Sequence, residues 1–128
     1  MNDMLQETDE NAALALDFGR LLAEHSGGDV VVMDMRELNF WTDFFVIATV
    51  TSGAHLSGLE RHVKDLAGEK GLPMRRSRKI GPEDEWCLLD LGNVVIHLMS
   101  PQSRSFYELE RLWSTARQIK QANPEAPA

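Results

Sequence analysis

Residues 86–99 read Trp-Cys-Leu-Leu-Asp-Leu-Gly-Asn-Val-Val-Ile-His-Leu-Met, two largely apolar runs of six residues on either side of Gly92-Asn93. A Gly-first pair between such runs is the turn signal of a two-residue β-hairpin, and closing the turn there fixes the register of the whole stretch. Leu91 faces Val94, Leu89 faces Ile96 and Cys87 faces Leu98, all on one face because successive side chains alternate. The other face carries Trp86 against Met99, Leu88 against His97 and Asp90 against Val95. The first face is wholly apolar. The second mixes large apolar groups with a carboxylate and an imidazole.

A sheet covered by helices on both sides is apolar on both, whereas a face open to water carries Thr, Lys and Glu. The second face of this hairpin fits neither pattern. Trp, Met and Leu fringed by Asp and His is the composition of a protein interface, which predicts a face half-open to water and available to a partner. The alternative is that another segment of the same chain covers Trp86.

A chain of 128 residues is long enough to bury one core and too short for two ordinary domains. Residues 1–10 read as a flexible acidic lead, 11–121 as the folded domain, and 122–128, with two prolines, as a disordered tail. Twenty Asp and Glu against thirteen Lys and Arg give a net charge of −7, which argues against binding nucleic acid by neutralising phosphates and suits a basic protein partner. The acidic run Glu83-Asp84-Glu85 beside Trp86 is placed to steer such a partner, or is simply a solvated turn. Cys87 is the single cysteine, so no disulfide or cysteine metal site forms within one chain, as suits a reducing compartment. The lead lacks the pattern of a secretion signal or transit peptide, and no run of about 18 apolar residues occurs. The expectation is a cytoplasmic protein with no membrane partner.

Leu14, Phe18, Leu21 and Leu22 recur at helical spacing, with Thr8 or Asp9 to cap the start and Gly27-Gly28 to stop the helix. Residues 29–34 are short and β-branched and read as an interior strand. Residues 44–50 form a second strand, antiparallel to the first if adjacent, because the link is too short for a parallel crossover. Ser52 caps a helix over 53–70 with the stripe Leu56, Leu59, Val63 and Leu66, ended by Gly71 and Pro73. The extended run 74–79 carries Arg75, Arg76, Arg78 and Lys79 on both faces, which belongs at a sheet edge, and the intervening helix predicts parallel pairing with the second strand. Ser100 caps and Pro101 opens a last helix with the stripe Phe106, Leu109, Trp113 and Ala116, broadened by Leu112 and Ile119. The sum is a single α/β domain with a mixed sheet of about five strands flanked by helices.

Four segments carry a family pattern: Asp-Phe-Phe-Val-Ile-Ala-Thr at 43–49, Ser-Gly-Ala-His at 52–55, Asp-Leu-Gly-Asn-Val-Val-Ile-His at 90–97 and Phe-Tyr-Glu-Leu-Glu-Arg-Leu-Trp at 106–113. In this order and spacing the chain resembles the ribosomal silencing factor family, also called Iojap-like proteins, over roughly 14–119. Three positions depart from the pattern: Val50 stands for a usual glycine, Asn93 for a usual aspartate, and Lys79-Ile80-Gly81 blurs an acidic-glycine pair. The resemblance implies a nucleotidyltransferase-like fold without the catalytic residues. It also implies a translational repressor that binds the large ribosomal subunit through its fourteenth protein, blocks joining of the small subunit and slows translation when nutrients are short.

By the same resemblance the family's tryptophan falls on Trp86, and its hairpin aspartate and histidine on Asp90 and His97. Joined to the hairpin reading, this makes Trp86, Leu88, Asp90, Val95, His97 and Met99 the expected partner-binding set, with Glu83, Asp84 and Glu85 as an acidic rim. Contact of the basic run 75–79 with ribosomal RNA is at most peripheral in this reading. A homodimer burying the same face is the alternative.

Catalysis finds little support in the residues. Two-metal nucleotidyl transfer needs closely placed carboxylates, commonly Asp-x-Asp on one strand, and the chain has none. Asp34, Asp43 and Asp90 could still converge in three dimensions, yet Ser52-Gly53 alone is a weak phosphate loop and equally a plain helix cap. His55 and His62 on one helix lie about 10 Å apart along its axis, too far to share a metal ion. His97 lies diagonal to both Trp86 and Asp90, which points to an Asp90–His97 contact. The expectation is no enzyme, no cofactor and no metal.

Overall fold

The computed structural model describes residues 2–36, 42–79, 86–107 and 117–121. In chain order the elements are α1 (Asn2–Glu24), β1 (Gly28–Asp34), β2 (Phe44–Thr49), α2 (Gly53–Glu69), β3 (Arg76–Lys79), β4 (Trp86–Asp90), β5 (Val94–Met99), α3 (Pro101–Tyr107) and β6 (Arg117–Gln121). All six strands join one mixed sheet in the order β3-β4-β5-β2-β1-β6. No described helix is long and apolar enough to cross a membrane.

α1 begins at Asn2, ahead of the cap expected at Thr8 or Asp9. Met4, Leu5, Gln6 and Glu7 are good helix formers by sequence, and the helix spans Asn2–Glu24. Its far end is closed by Ser26 at φ 70, with the Gly27 N–H donating to the Leu22 carbonyl at 2.7 Å. A Cβ on Gly27 would fall 2.7 Å from that same oxygen, so the close approach requires glycine. α2 starts as expected, the Ser52 Oγ accepting from the His55 N–H at 3.0 Å. α3 is capped by Ser100, whose Oγ accepts from the Ser103 N–H at 3.0 Å.

The five expected strands all form, but their order corrects one pairing. The strand parallel to β2 is β5, in register Phe44↔Val94 through Thr49↔Met99, and not the run at 74–79. β5 is buried at all six positions and can occupy the centre, whereas β3 has exposed charge and takes the edge beside β4. At the other edge β6 pairs antiparallel with β1, a sixth strand where the helical spacing through Ile119 predicts the end of the last helix. The rest of that helix's expected stripe, Leu109, Leu112, Trp113 and Ala116, lies outside the described residues, as does the segment 122–128, while Phe106 is 79% exposed.

Both faces of the sheet are buried. On one, α1 and α2 bring Phe18, Leu22, Leu56, Leu59 and Val63 onto Val30, Val32, Phe44, Val46, Leu89, Ile96 and Leu98. On the other, Val31, Met33, Met35, Phe45, Ile47, Trp86, Val95 and Met99 form a second apolar cluster. At about 25 cal/mol per Å² of apolar surface, these two layers supply the main stabilisation of the fold.

Candidate functional site

The hairpin forms in the register read from the sequence: Trp86↔Met99, Cys87↔Leu98, Leu88↔His97, Leu89↔Ile96 and Asp90↔Val95. The Leu91 N–H donates to the Val94 carbonyl at 2.9 Å and Gly92 adopts φ +93, a left-handed conformation that glycine reaches without a Cβ penalty. The turn is pinned from outside as well, because the Thr42 Oγ1 donates to the Gly92 carbonyl at 3.0 Å and the Phe44 N–H to the Asn93 carbonyl at 3.0 Å. These bonds tie the hairpin turn to the start of its parallel neighbour β2.

The second face of the hairpin is closed, which corrects the half-open face expected from its composition. Trp86 is 8% exposed, His97 3%, and Val95 and Met99 are fully buried. Leu88 and Asp90, on the outer strand of the pair, are half-buried and reach the surface. The hairpin alone cannot distinguish coverage by its own chain from coverage by another molecule, since both reward the same apolar residues. Glu83, Asp84 and Glu85 lie outside the described residues.

His97 is held by Trp86 and not by Asp90. The indole N–H donates to His97 Nδ1 at 3.1 Å and the Phe45 ring meets the imidazole edge-on at 4.6 Å between centroids. Because the indole nitrogen only donates, Nδ1 must be unprotonated and the proton of the neutral ring sits on Nε2. Among the described residues, that buried Nε2 has no hydrogen-bond partner. Burial pushes the His97 pKa down from 6.5 to about 3, so the ring is neutral at physiological pH. Asp90 instead turns inward on its own loop, its Oδ1 accepting from the Gly92 N–H at 2.8 Å.

The other carboxylates considered for metal chemistry are separately engaged. Asp34, 5% exposed, takes the Arg36 guanidinium through both oxygens, and Asp43 accepts from Asn11 at 3.3 Å. Among the described residues no group of three metal-ligating side chains converges. A cavity of about 420 Å³ opens past the ends of β2 and β5, lined by Val50, Thr51, Ser52, Gly53, Ser100, Pro101 and Gln102. It sits where ligands commonly bind in α/β sheets, but its described lining carries no charged side chain. Burial, with the Glu60 charge as the second cause, pushes the Cys87 thiol up from 9.0 to about 11, the reverse of an activated nucleophile.

Sequence reasoning missed two arrangements. His25, at the end of α1, stacks on His62 at 3.6 Å between ring centroids, and its carbonyl oxygen lies 3.2 Å from His55 Nε2. His55 and His62 are thus joined through a third residue that spacing along α2 does not reveal. Arg104 of α3 reaches back to the Gly28 carbonyl at 3.2 Å and the Thr49 hydroxyl at 2.9 Å, fastening the helix to the sheet.

The sequence model of the family described as "Ribosomal silencing factor during starvation" matches residues 7–128. The chain belongs to the ribosomal silencing factor family. A ribosomal silencing factor of Treponema pallidum is 41% identical over 93 residues, covering 72% of this chain and 82% of that protein. The chloroplastic protein Iojap of Arabidopsis thaliana is 36% identical over 111 residues, covering 87% of this chain and 46% of its own length, so the chain spans about half of that relative. Among solved structures, a protein of Chromobacterium violaceum superposes with a TM-score of 0.67 at 30% identity, covering 91% of each chain. The silencing-factor fold therefore accounts for the mixed sheet and its flanking helices, and the relatives' printed names describe regulators and not enzymes.

Proposed function

We propose that this chain represses translation by docking on the large ribosomal subunit through its fourteenth protein and occluding the small subunit. The observation that carries this reading is the family match across residues 7–128. A mouse relative 35% identical over 98 residues is named for assembly of the mitochondrial ribosomal large subunit, which supports the choice of subunit. Repression needs no catalysis, only a rigid body large enough to block an interface.

Within this reading, burial favours the outer strand of the hairpin as the contact surface. Leu88 and Asp90 are the half-buried members of the hairpin's second face and take the role of contact residues, while Trp86, Val95, His97 and Met99 are packed into the buried part of that face. Glu83, Asp84 and Glu85 precede β4 in sequence and would raise the association rate toward a basic ribosomal protein more than the affinity.

The test is cosedimentation with isolated large and small subunits, combined with a subunit-joining assay, for the parent and Leu88→Arg. Binding to the large subunit alone, loss of joining, and relief of both effects in a folded Leu88→Arg are expected. Equal binding by the variant would overturn the placement, and normal joining at saturating parent would overturn the mechanism. Trp86→Ala is a poor probe, because removing a buried tryptophan costs about 3–5 kcal/mol of stability before any binding is measured.

A further inference from the structure

A chain of net charge −7 is repelled by a ribosomal subunit, whose surface is largely phosphate, unless part of its own surface inverts that sign. β3 and the residue before it do so. Arg75, Arg76, Arg78 and Lys79 are four of the thirteen Lys and Arg, packed into five positions. Arg75, Arg78 and Lys79 are exposed, and β3 is the terminal strand of the sheet. Of the other basic groups, Arg20 and Lys70 share Asp17, Arg36 is held by Asp34 and Lys64 by Glu60. Among the described residues Arg75, Arg78 and Lys79 have no such acidic partner.

Their position is defined by the hairpin. The Arg75 N–H donates to the Asp90 carbonyl at 2.8 Å, and its side chain lies over the turn, where a Cβ on Gly92 would come 3.2 Å from Nε. The register sets Arg78 opposite Leu88 and Arg76 opposite Asp90, one strand spacing of about 4.8 Å from the proposed contact residues. One or two charges suffice to keep an edge strand from pairing with other chains. A run of exposed cations beside one site exceeds that need and is complementary to a polyanion.

We propose that β3 engages the phosphate backbone of large-subunit RNA next to the protein docking site, so that one edge of the sheet reads protein and RNA together. The proposal deepens the docking reading above and rests on it. The test compares the parent with the triple variant Arg75→Gln, Arg78→Gln, Lys79→Gln in three assays over a salt series: protein-free large-subunit RNA, intact large subunits, and the purified fourteenth protein.

The variant is expected to bind RNA and intact subunits about tenfold more weakly at about 0.1 M salt. Its slope of log affinity against log salt should be shallower by about 2 to 3, and its affinity for the purified protein unchanged. Equal RNA affinity and slope in parent and variant would overturn the proposal. A loss confined to the purified protein would also overturn it, in favour of an acidic protein surface as the partner of β3. If neither chain binds the purified protein while the RNA difference persists, the docking reading fails and the RNA contact stands.

Discussion

His97 makes the stability of this protein depend on pH in a range where most histidines are indifferent to folding. Its ring is 3% exposed, its Nδ1 is committed as an acceptor from Trp86, and burial lowers its pKa from 6.5 to about 3. The fold accepts only the neutral ring, whereas the unfolded chain protonates freely near 6.5. The contribution is therefore complete above that value and is lost as pH falls toward 3. Between about pH 7.5 and pH 5 the unfolded state gains nearly one proton that the folded state refuses, which is worth about 2 kcal/mol.

The assay is urea denaturation followed by tryptophan fluorescence at both pH values, for the parent and His97→Gln. Carboxylates titrate in both proteins, so the difference between the two pH dependences isolates residue 97. The parent should lose about 2 kcal/mol more than the variant over this interval, whatever their absolute stabilities. Equal losses would refute the assignment of a buried neutral imidazole. An NMR titration adds an independent check, since the His97 ring resonances should not move above about pH 4 while the protein remains folded.

Ser52→Ala should destabilise the fold by about 1 kcal/mol and Ser52→Gly by only a few tenths, because the alanine alone loses the cap without regaining solvent access to the helix end; thermal melts give both. Gly92→Ala, at φ +93, should cost about 1–2 kcal/mol in chemical denaturation through backbone strain, the Arg75 side chain being free to shift aside. Trp86→Phe removes the indole donor from His97 Nδ1 and should cost about 2 kcal/mol or more, yet leave large-subunit binding intact in the folded fraction; loss of binding at full folding would restore Trp86 as a contact residue. Cys87, buried and with its thiol at about 11, should react with a thiol reagent only as fast as the sheet opens, so labelling that outpaces unfolding at low denaturant would refute its placement.

The pairing within residues 86–99 was legible because alternation and the turn signal are local. Alternation assigns Cys87, Leu89, Leu91 and their partners to one face, Gly92-Asn93 sets the turn, and the register follows by counting. Ser52 and Ser100 were legible as caps for the same reason: each serves an N–H three residues away. The chemistry of the site was harder to read. Trp86 and Asp90 both lie diagonal to His97, and alternation alone does not show that His97 takes the Trp86 indole N–H while Asp90 accepts from the Gly92 N–H.

The amino-acid sequence by itself determined the secondary elements around the hairpin, its two faces, the edge position of the charged run at 75–79, and the family. Tertiary structure alone decided that β5 lies beside β2, that β6 closes the sheet against β1, that His25 lies against both His55 and His62, and that Trp86, Val95, His97 and Met99 are covered. The division has one physical cause. Periodicity and capping encode contacts a few residues apart, while the partner of an exposed edge or an apolar face is chosen among distant segments by which arrangement buries the most surface and satisfies the most backbone groups at once.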